Sequence, residues 1–139
     1  MSNSIAGDPA VAAARPMTPL LRRAVAELVG TAFLLMAVVG SGIMATRLTD
    51  DVGLQLFVNS LATGAALVAL ILALQPVSAA FNPVVTLVEA AMGRLPAADV
   101  LSLIAAQMVG GVMGVALANL MFDLPAISVA TTDRFGAHL

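Results

Sequence analysis

The sequence predicts an all-α membrane protein with three transmembrane helices and one half-length helix that enters the bilayer and returns. Of its 139 residues, 60% are hydrophobic and 10% are charged, and the mean hydropathy is +1.03, far above that of water-soluble domains. Two charge-free stretches, residues 28–46 and 100–122, are 19 and 23 residues long, enough to cross a bilayer. A third stretch has 37 residues and contains its own helix break.

The composition also excludes several functions. High hydrophobicity and low charge exclude a soluble enzyme of ordinary type and a disordered chain. Six arginines, no lysine and a net charge of −2 offer no basic surface for nucleic acid. The chain has no cysteine, and its single histidine, His138, has no partners with which to bind a metal. We therefore expect no metal, no other cofactor and no enzymatic activity.

The first 21 residues differ from the rest of the chain. Residues 1–21 are mostly small or polar, contain three prolines and lack a continuous apolar run. They predict a flexible N-terminal tail rather than a cleavable signal peptide. The first span covers about residues 22–46, opens with Arg22 and Arg23, and ends in the charge-free stretch of 19 residues.

The charge-free stretch 52–88 is too long for one membrane helix. Its 37 residues would form a helix of about 56 Å, nearly twice the ~30 Å hydrocarbon core, and tilt cannot absorb that difference. Pro76 ends the first part, because the residue before a proline avoids helical conformation. This leaves a span over about residues 52–75.

A second helix begins within the same stretch, at Asn82 and Pro83. Asparagine is a preferred N-cap and proline a preferred first helical residue, and Gly93 is suited to end the helix. The 11 residues 83–93 would form about 16 Å of helix, roughly half a bilayer. We therefore expect a re-entrant half-helix.

The last span covers about residues 100–122, and residues 123–139 predict a polar loop or tail. The distribution of arginine predicts the orientation. The side that holds the N-terminus has four arginines (Arg15, Arg22, Arg23, Arg94), and the opposite side has two (Arg47, Arg134). We therefore expect a multi-pass protein of the cell's inner (plasma) membrane, with its N-terminus in the cytoplasm.

Residues 76–81 carry the expected chemistry. Non-helical backbone is tolerated at membrane depth only where it is buried in protein or lines a water-filled cavity. In a pore, its carbonyls would form a ladder of acceptors. The Asn82 oxygen would cap the half-helix and leave the NH2 group as a donor at the positive end of the helix dipole. Such a site suits a polar neutral molecule and repels cations; the alternative is a plain helix–loop–helix with an ordinary cap.

Three segments resemble one known family. Residues 77–87, VSAAFNPVVTL, look like the first signature loop of the major intrinsic protein family, the aquaporins and glycerol facilitators. Residues 26–31, AELVGT, resemble the start of the family's first helix, and residues 106–111, AQMVGG, resemble its third helix. The order and spacing agree, so the resemblance covers about residues 22–122.

The resemblance implies a six-helix channel built from two inverted repeats, of which this chain holds one. Its partners would be the lipid bilayer, the missing C-terminal repeat and, for a full-length protein, the other subunits of a homotetramer. The motif reads Asn-Pro-Val at residues 82–84, and no second motif of the Asn-Pro-Ala type follows it in this sequence. We therefore expect a truncated half of a channel for water or small uncharged solutes such as glycerol, inactive alone.

The resemblance also implies roles for seven residues. Asn82 would be the central donor, and the carbonyls of Ser78, Ala79 and Ala80 would line the cytoplasmic half of the pore. Glu27 and Gln107 would be structural braces of the re-entrant loop. Thr63 would occupy the second-helix position of the selectivity constriction, where a residue smaller than an aromatic one leaves room for a glycerol-like solute.

The residues themselves leave alternatives open at two of these places. Glu27 could be a functional intramembrane carboxyl or an interfacial one that reaches the headgroups. Asn59 and Thr63 share a helix face that could meet a lumen or a neighbouring helix. Gly110 and Gly114 form a small-residue stripe suited to close helix packing.

Two other functions compete with the channel. A small dual-topology, proton-coupled exporter would use Glu27 as its intramembrane carboxyl, and it requires four full spans. A membrane scaffold without transport would leave the break at Asn82 and Pro83 unexplained.

Overall fold

A computed structural model describes residues 19–127, and this part of the chain folds into four helices without a strand. The helices are α1 (Pro19–Leu48), α2 (Val52–Leu74), α3 (Pro83–Ala91) and α4 (Ala97–Met121). Three of them are long and apolar enough to cross a membrane, with hydropathies of 2.1, 2.1 and 2.0. The nine residues of α3 span only about 14 Å. The predicted fold class, three long helices and a half-length one, is confirmed.

The helix ends differ from the predicted bounds by a few residues. Helix α1 begins at Pro19, three residues before the predicted start, because proline is tolerated in the first turn of a helix. Helix α4 begins at Ala97 rather than residue 100, directly after the extended backbone of Pro96. Helix α3 ends at Ala91, and Gly93 follows with φ +70°. Residues 1–18 and 128–139, which include most of the predicted tail and loop and the predicted positions of Arg15, Arg134 and His138, lie outside the described residues.

Helix α1 is the centre of the bundle and packs against both α2 and α4. The contact between α1 and α4 has no room for side chains at two glycines. A Cβ atom at Gly110 would overlap the backbone carbonyl of Leu28, and one at Gly114 would overlap that of Ala32. The stripe that the sequence suggested for close packing therefore brings the two helix backbones into contact.

Polar contacts join α1 and α4 at both ends of this pair. At one end, Arg23 lies 3.6 Å from Asp99. At the other, the Arg47 guanidinium donates to the backbone carbonyl of Phe122 at 2.6 Å and lies 5.2 Å from the centre of its ring. These contacts lie where a membrane helix meets water, so they fix the register of α1 and α4 without burying a charge in the bilayer.

Helix α2 contributes no buried residue. Large apolar side chains such as Leu56, Phe57 and Leu72 are more than 60% exposed within this chain. Exposed apolar faces of this extent are expected of helices that meet lipid or further protein.

Replacing Gly114 by leucine should separate α1 from α4, because the new side chain has to displace the backbone at Ala32. We expect Gly114→Leu to lower the free energy of unfolding by about 3 kcal/mol or more, the upper range for overpacking a tight contact. Circular dichroism melts in detergent measure the loss. Gly64→Leu is the matched control, since nothing lies within 4 Å of the position that a Cβ atom would take at Gly64. Equal melting temperatures for the two variants would contradict the packing described here.

Candidate functional site

The chain between α2 and α3 leaves helical conformation at residues 75–82 and returns to the interior of the bundle. Phe81 has a left-handed φ of 50°, an uncommon conformation for a bulky residue. Phe81 as a whole is 4% exposed, and its ring occupies the space beside Gly30, where any larger residue would overlap it. The next residue, Asn82, has an extended backbone and is the N-cap of α3.

The carboxyl of Glu27 holds residues 78–81, which we call the extended segment. Its Oε1 accepts hydrogen bonds from the Ser78 hydroxyl at 2.5 Å and the Ala80 amide at 2.9 Å. Its Oε2 accepts from the Phe81 amide at 2.7 Å and from Gln107 Nε2 at 2.9 Å. All four partners are donors, which matches a carboxylate that supplies only acceptors. Glu27 is fully buried, so its side chain does not reach the membrane surface.

A second set of hydrogen bonds ties this carboxyl to the half-helix. Gln107 Nε2 also donates to Thr86 Oγ1 at 2.8 Å, and that hydroxyl donates to the backbone carbonyl of Asn82 at 3.2 Å. Thr86 is fully buried. We call Glu27, Gln107, Thr86 and the three donors at residues 78, 80 and 81 the Glu27 network. It joins α1, α3, α4 and the extended segment.

The sequence analysis assigned no role to Thr86. Its position one helical turn after the N-cap was a usable signal, because a threonine hydroxyl often bonds the carbonyl four residues earlier. The partner that makes it central, Gln107, lies 21 residues away along the chain. That contact depends on how α3 and α4 pack.

Asn82 caps α3 in the way expected from its sequence. Its side-chain oxygen accepts from the Val84 amide at 2.8 Å, and Pro83 is the first helical residue. The side-chain Nδ2 makes no hydrogen bond within residues 19–127 and lies at the N-terminal tip of α3, where the helix dipole is positive. A neutral donor and a positive dipole end therefore coincide at one point.

That tip opens into a groove of about 520 Å³ between α1 and α4. Thr31 and Leu35 line it from α1, which places the tip of α3 near the middle of that 30-residue helix. We call this space the tip groove.

On the other side of the extended segment lies a polar cavity of about 320 Å³, near the end of the bundle at which α1 begins. Ser78 and Ala79 line it together with charged and amide side chains, namely Arg23, Gln75, Glu89 and Arg94. Within the described part of the chain, the carbonyls of Ser78, Ala79 and Ala80 accept no backbone hydrogen bond. The structure thus leaves these three carbonyl oxygens available to another donor.

Asn59 and Thr63 have different surroundings although they are one turn apart on α2. Asn59 Nδ2 donates to the Val38 carbonyl at 2.8 Å and to Ser41 Oγ at 3.1 Å, so Asn59 faces α1. The Thr63 hydroxyl is buried and has no partner among residues 19–127. The assignment of Thr63 to a constriction stays a prediction.

No group of three or more His, Cys, Asp or Glu side chains that could hold a metal occurs in the described ranges. The polar groups that converge at residues 78–82 and in the tip groove are neutral donors and acceptors around one buried carboxyl, and the charged side chains Arg23, Glu89 and Arg94 lie in the polar cavity on the other side. Their chemistry is hydrogen-bond exchange, and it provides no nucleophile paired with a base.

Residues 15–135 match the family model described as Major intrinsic protein. The chain belongs to the major intrinsic protein family. The curated relatives include the aquaglyceroporin AqpS of Rhizobium meliloti (strain 1021), 52% identical over 118 residues. They also include the Arabidopsis thaliana aquaporins NIP1-2 and NIP2-1, 32% and 34% identical over 107 and 104 residues. No solved structure gives a significant match.

The chain spans about half the length of one of these relatives and about a third of the others. The matches cover 84%, 76% and 75% of this chain, but 51% of AqpS, 36% of NIP1-2 and 35% of NIP2-1. Membership of the major intrinsic protein family makes the chain a multi-pass membrane protein of a channel family, not an enzyme. The competing exporter required four full spans, and residues 19–127 contain three candidate spans.

Removing the acceptor at Glu27 should release the extended segment. In Glu27→Gln one acceptor oxygen becomes an NH2 donor and faces donors of the Glu27 network. We expect stability to fall by about 2–4 kcal/mol, because buried donors lose their partners. Thermal melts of the detergent-solubilised protein measure this fall.

The matched control is Glu89→Gln, since Glu89 is the half-buried glutamate of α3 at the polar cavity, outside the network. It should melt within a few degrees of the parent chain. A Glu27→Gln variant as stable as Glu89→Gln would show that the carboxyl does not hold the segment.

Proposed function

We propose that this chain forms one half of a passive channel for water and small uncharged solutes of the glycerol type. The observation that carries the proposal is the capped half-helix whose Asn82 donor is held at mid-bundle depth by the Glu27 network. The 52% identity to a relative named an aquaglyceroporin supports the same solute class.

In the proposed pore, a solute exchanges its hydration for fixed donors and acceptors. The carbonyls of Ser78, Ala79 and Ala80 accept from its hydroxyl groups, and Asn82 Nδ2 donates to its oxygen. The positive end of the α3 dipole at the same point opposes cations, as described for aquaporin half-helices. Selection against charge therefore needs no charged side chain at the tip.

The proposal includes Thr63 as a constriction residue on α2. A threonine occupies less space than an aromatic residue, so a lumen bordered at this position admits a solute wider than water. Its buried hydroxyl, which has no partner within the described residues, is an acceptor that such a solute or the rest of a channel could use.

We further propose that the half conducts only when it is joined by the remaining part of the family fold. Within residues 19–127, no residue of α2 is buried as a whole and the tip groove is open, so these residues supply one wall of the proposed pore and not the opposite one. The proposed setting is the inner membrane, with the N-terminus in the cytoplasm and the completed channels as homotetramers.

Solute flux tests the function. The chain is reconstituted in liposomes alone and together with the part of AqpS that the match leaves uncovered, and stopped-flow light scattering follows water and glycerol entry. We expect flux above that of empty liposomes only for the pair, unchanged by an imposed proton gradient. Flux that follows the proton gradient, or no flux from the pair, would contradict the proposal.

Asn82→Asp keeps the cap, removes the donor and adds a negative charge at the tip. Aspartate caps a helix as well as asparagine does, so the bond to the Val84 amide and the melting temperature should be retained. The Nδ2 donor is replaced by an oxygen. We expect solute flux of the reconstituted pair to fall at least about fivefold, the factor that one hydrogen bond of about 1 kcal/mol makes. A flux equal to that of the parent pair would show that Asn82 does not bind solute in the pore.

A further inference from the structure

A small cavity lies where the start of α1 meets the chain that follows α2. It has a volume of about 190 Å³ and is lined by Pro19, Arg22, Arg23, Pro76 and Val77. We call it the arginine pocket. It shares no residue with the tip groove, so it lies outside the hydrogen-bonding groups that the proposed pore uses at the tip of α3.

The positive charge of the arginine pocket is only partly neutralised within the described residues. Arg23 lies 3.6 Å from Asp99, and the two side chains are 27% and 23% exposed. Arg22 is exposed and makes no ion pair with a carboxyl group among residues 19–127. A guanidinium group has five N–H donors, so both arginines have donors left for an anion.

The arginine pocket lies at the depth expected of lipid headgroups. Arg23 directly precedes the charge-free part of α1, and Pro76 lies just beyond the end of α2. One helical turn further into the span, Val25 follows Arg22 by three residues and Leu72 precedes Pro76 by four. Val25 and Leu72 are 44% and 72% exposed. The pocket therefore joins a charged rim to an apolar surface on the membrane side.

The two ends of the bundle differ in charge, which favours an anionic lipid at this end. The end with the arginine pocket carries three arginines and two carboxyl groups within the described residues, namely Arg22, Arg23, Arg94, Glu89 and Asp99. The opposite end carries one arginine and three carboxyl groups, namely Arg47, Asp50, Asp51 and Asp123. Basic pockets between membrane helices are suited to anionic headgroups. A soluble anion would leave the apolar surface below the pocket unused.

We infer that the arginine pocket binds the phosphate of an anionic phospholipid, with Arg22 and Arg23 as donors and the acyl chains along Val25 and Leu72. Guanidinium groups match the geometry of phosphate oxygens and form charge-assisted hydrogen bonds with them. The bound lipid contacts α1 and the chain after α2 together, and so holds these two elements to each other. The binding does not depend on the proposed function, since it requires no pore.

Thermal melts of the chain in a neutral detergent test this binding, with phosphatidylglycerol as the probe. A ligand that binds only the folded chain raises its melting temperature as the ligand concentration increases. We expect phosphatidylglycerol to raise the melting temperature, and phosphatidylcholine with the same acyl chains to raise it much less, because its headgroup has no net charge.

Arg22→Gln should need about tenfold more phosphatidylglycerol for the same rise in melting temperature, because a hydrogen bond between two charged groups is lost. Without lipid it should melt as the parent chain does, since Arg22 makes no ion pair within residues 19–127. Arg94→Gln is the matched control. It removes the same charge at the same end of the bundle, from an exposed residue outside the arginine pocket, and should respond to phosphatidylglycerol as the parent chain does.

Four results would overturn the inference. They are equal responses of the Arg22→Gln and Arg94→Gln variants, equal stabilisation by phosphatidylcholine, no stabilisation by phosphatidylglycerol, and equal stabilisation by inorganic phosphate at the same concentration. The last result would show that the arginine pocket takes a soluble anion instead of a lipid. None of these results bears on solute flux, so the proposed function stands or falls separately.

Discussion

The buried carboxyl of Glu27 is the interaction on which the rest of the described structure depends. Backbone amides outside a helix at membrane depth have no water to bond with, and each one left unpaired raises the free energy of the folded chain. Glu27 accepts from two such amides, from the Ser78 hydroxyl and from Gln107. Since one side chain meets these needs, the chain can bend at Phe81 and start a new helix in mid-bundle. The position of Asn82 is a consequence of that bend.

This carboxyl can reach its partners only because small residues bring the surrounding elements close. Gly110 and Gly114 allow α4 to contact the backbone of α1, which puts Gln107 within 2.9 Å of Glu27. Gly30 leaves the space that the Phe81 ring fills. The glycine contacts and the polar network are therefore one arrangement. A larger side chain at these glycines would move the hydrogen-bonding groups apart as well as the helices.

The features that the sequence could predict are those set by neighbouring residues. Charge-free lengths predict the spans, and Asn82 with Pro83 predicts the start of the half-helix, because capping and proline effects act within one turn. The partners of Asn59 and Thr86 could not be predicted in the same way. They depend on which faces of α1, α2 and α4 meet, and a sequence of nearly uniform hydrophobicity does not specify those faces. For that reason the alternatives for Asn59 were lumen or neighbouring helix, and the structure places it against α1.

Among residues 19–127, the backbone donors of the bend are paired, but several side-chain acceptors are not. This difference affects which solutes the proposed channel can pass. The amides of the bend at Ala80 and Phe81 are paired with Glu27, whereas side-chain oxygens at Thr31, Thr63 and Gln107 have no partner within residues 19–127. Unpaired acceptors of this kind attract groups that carry O–H or N–H, and they would also attract cations. The positive end of the α3 dipole opposes the cations. In the proposed channel, unpaired acceptors and one dipole end together favour neutral hydroxyl compounds over ions, and the half-helix tip itself carries no charged side chain.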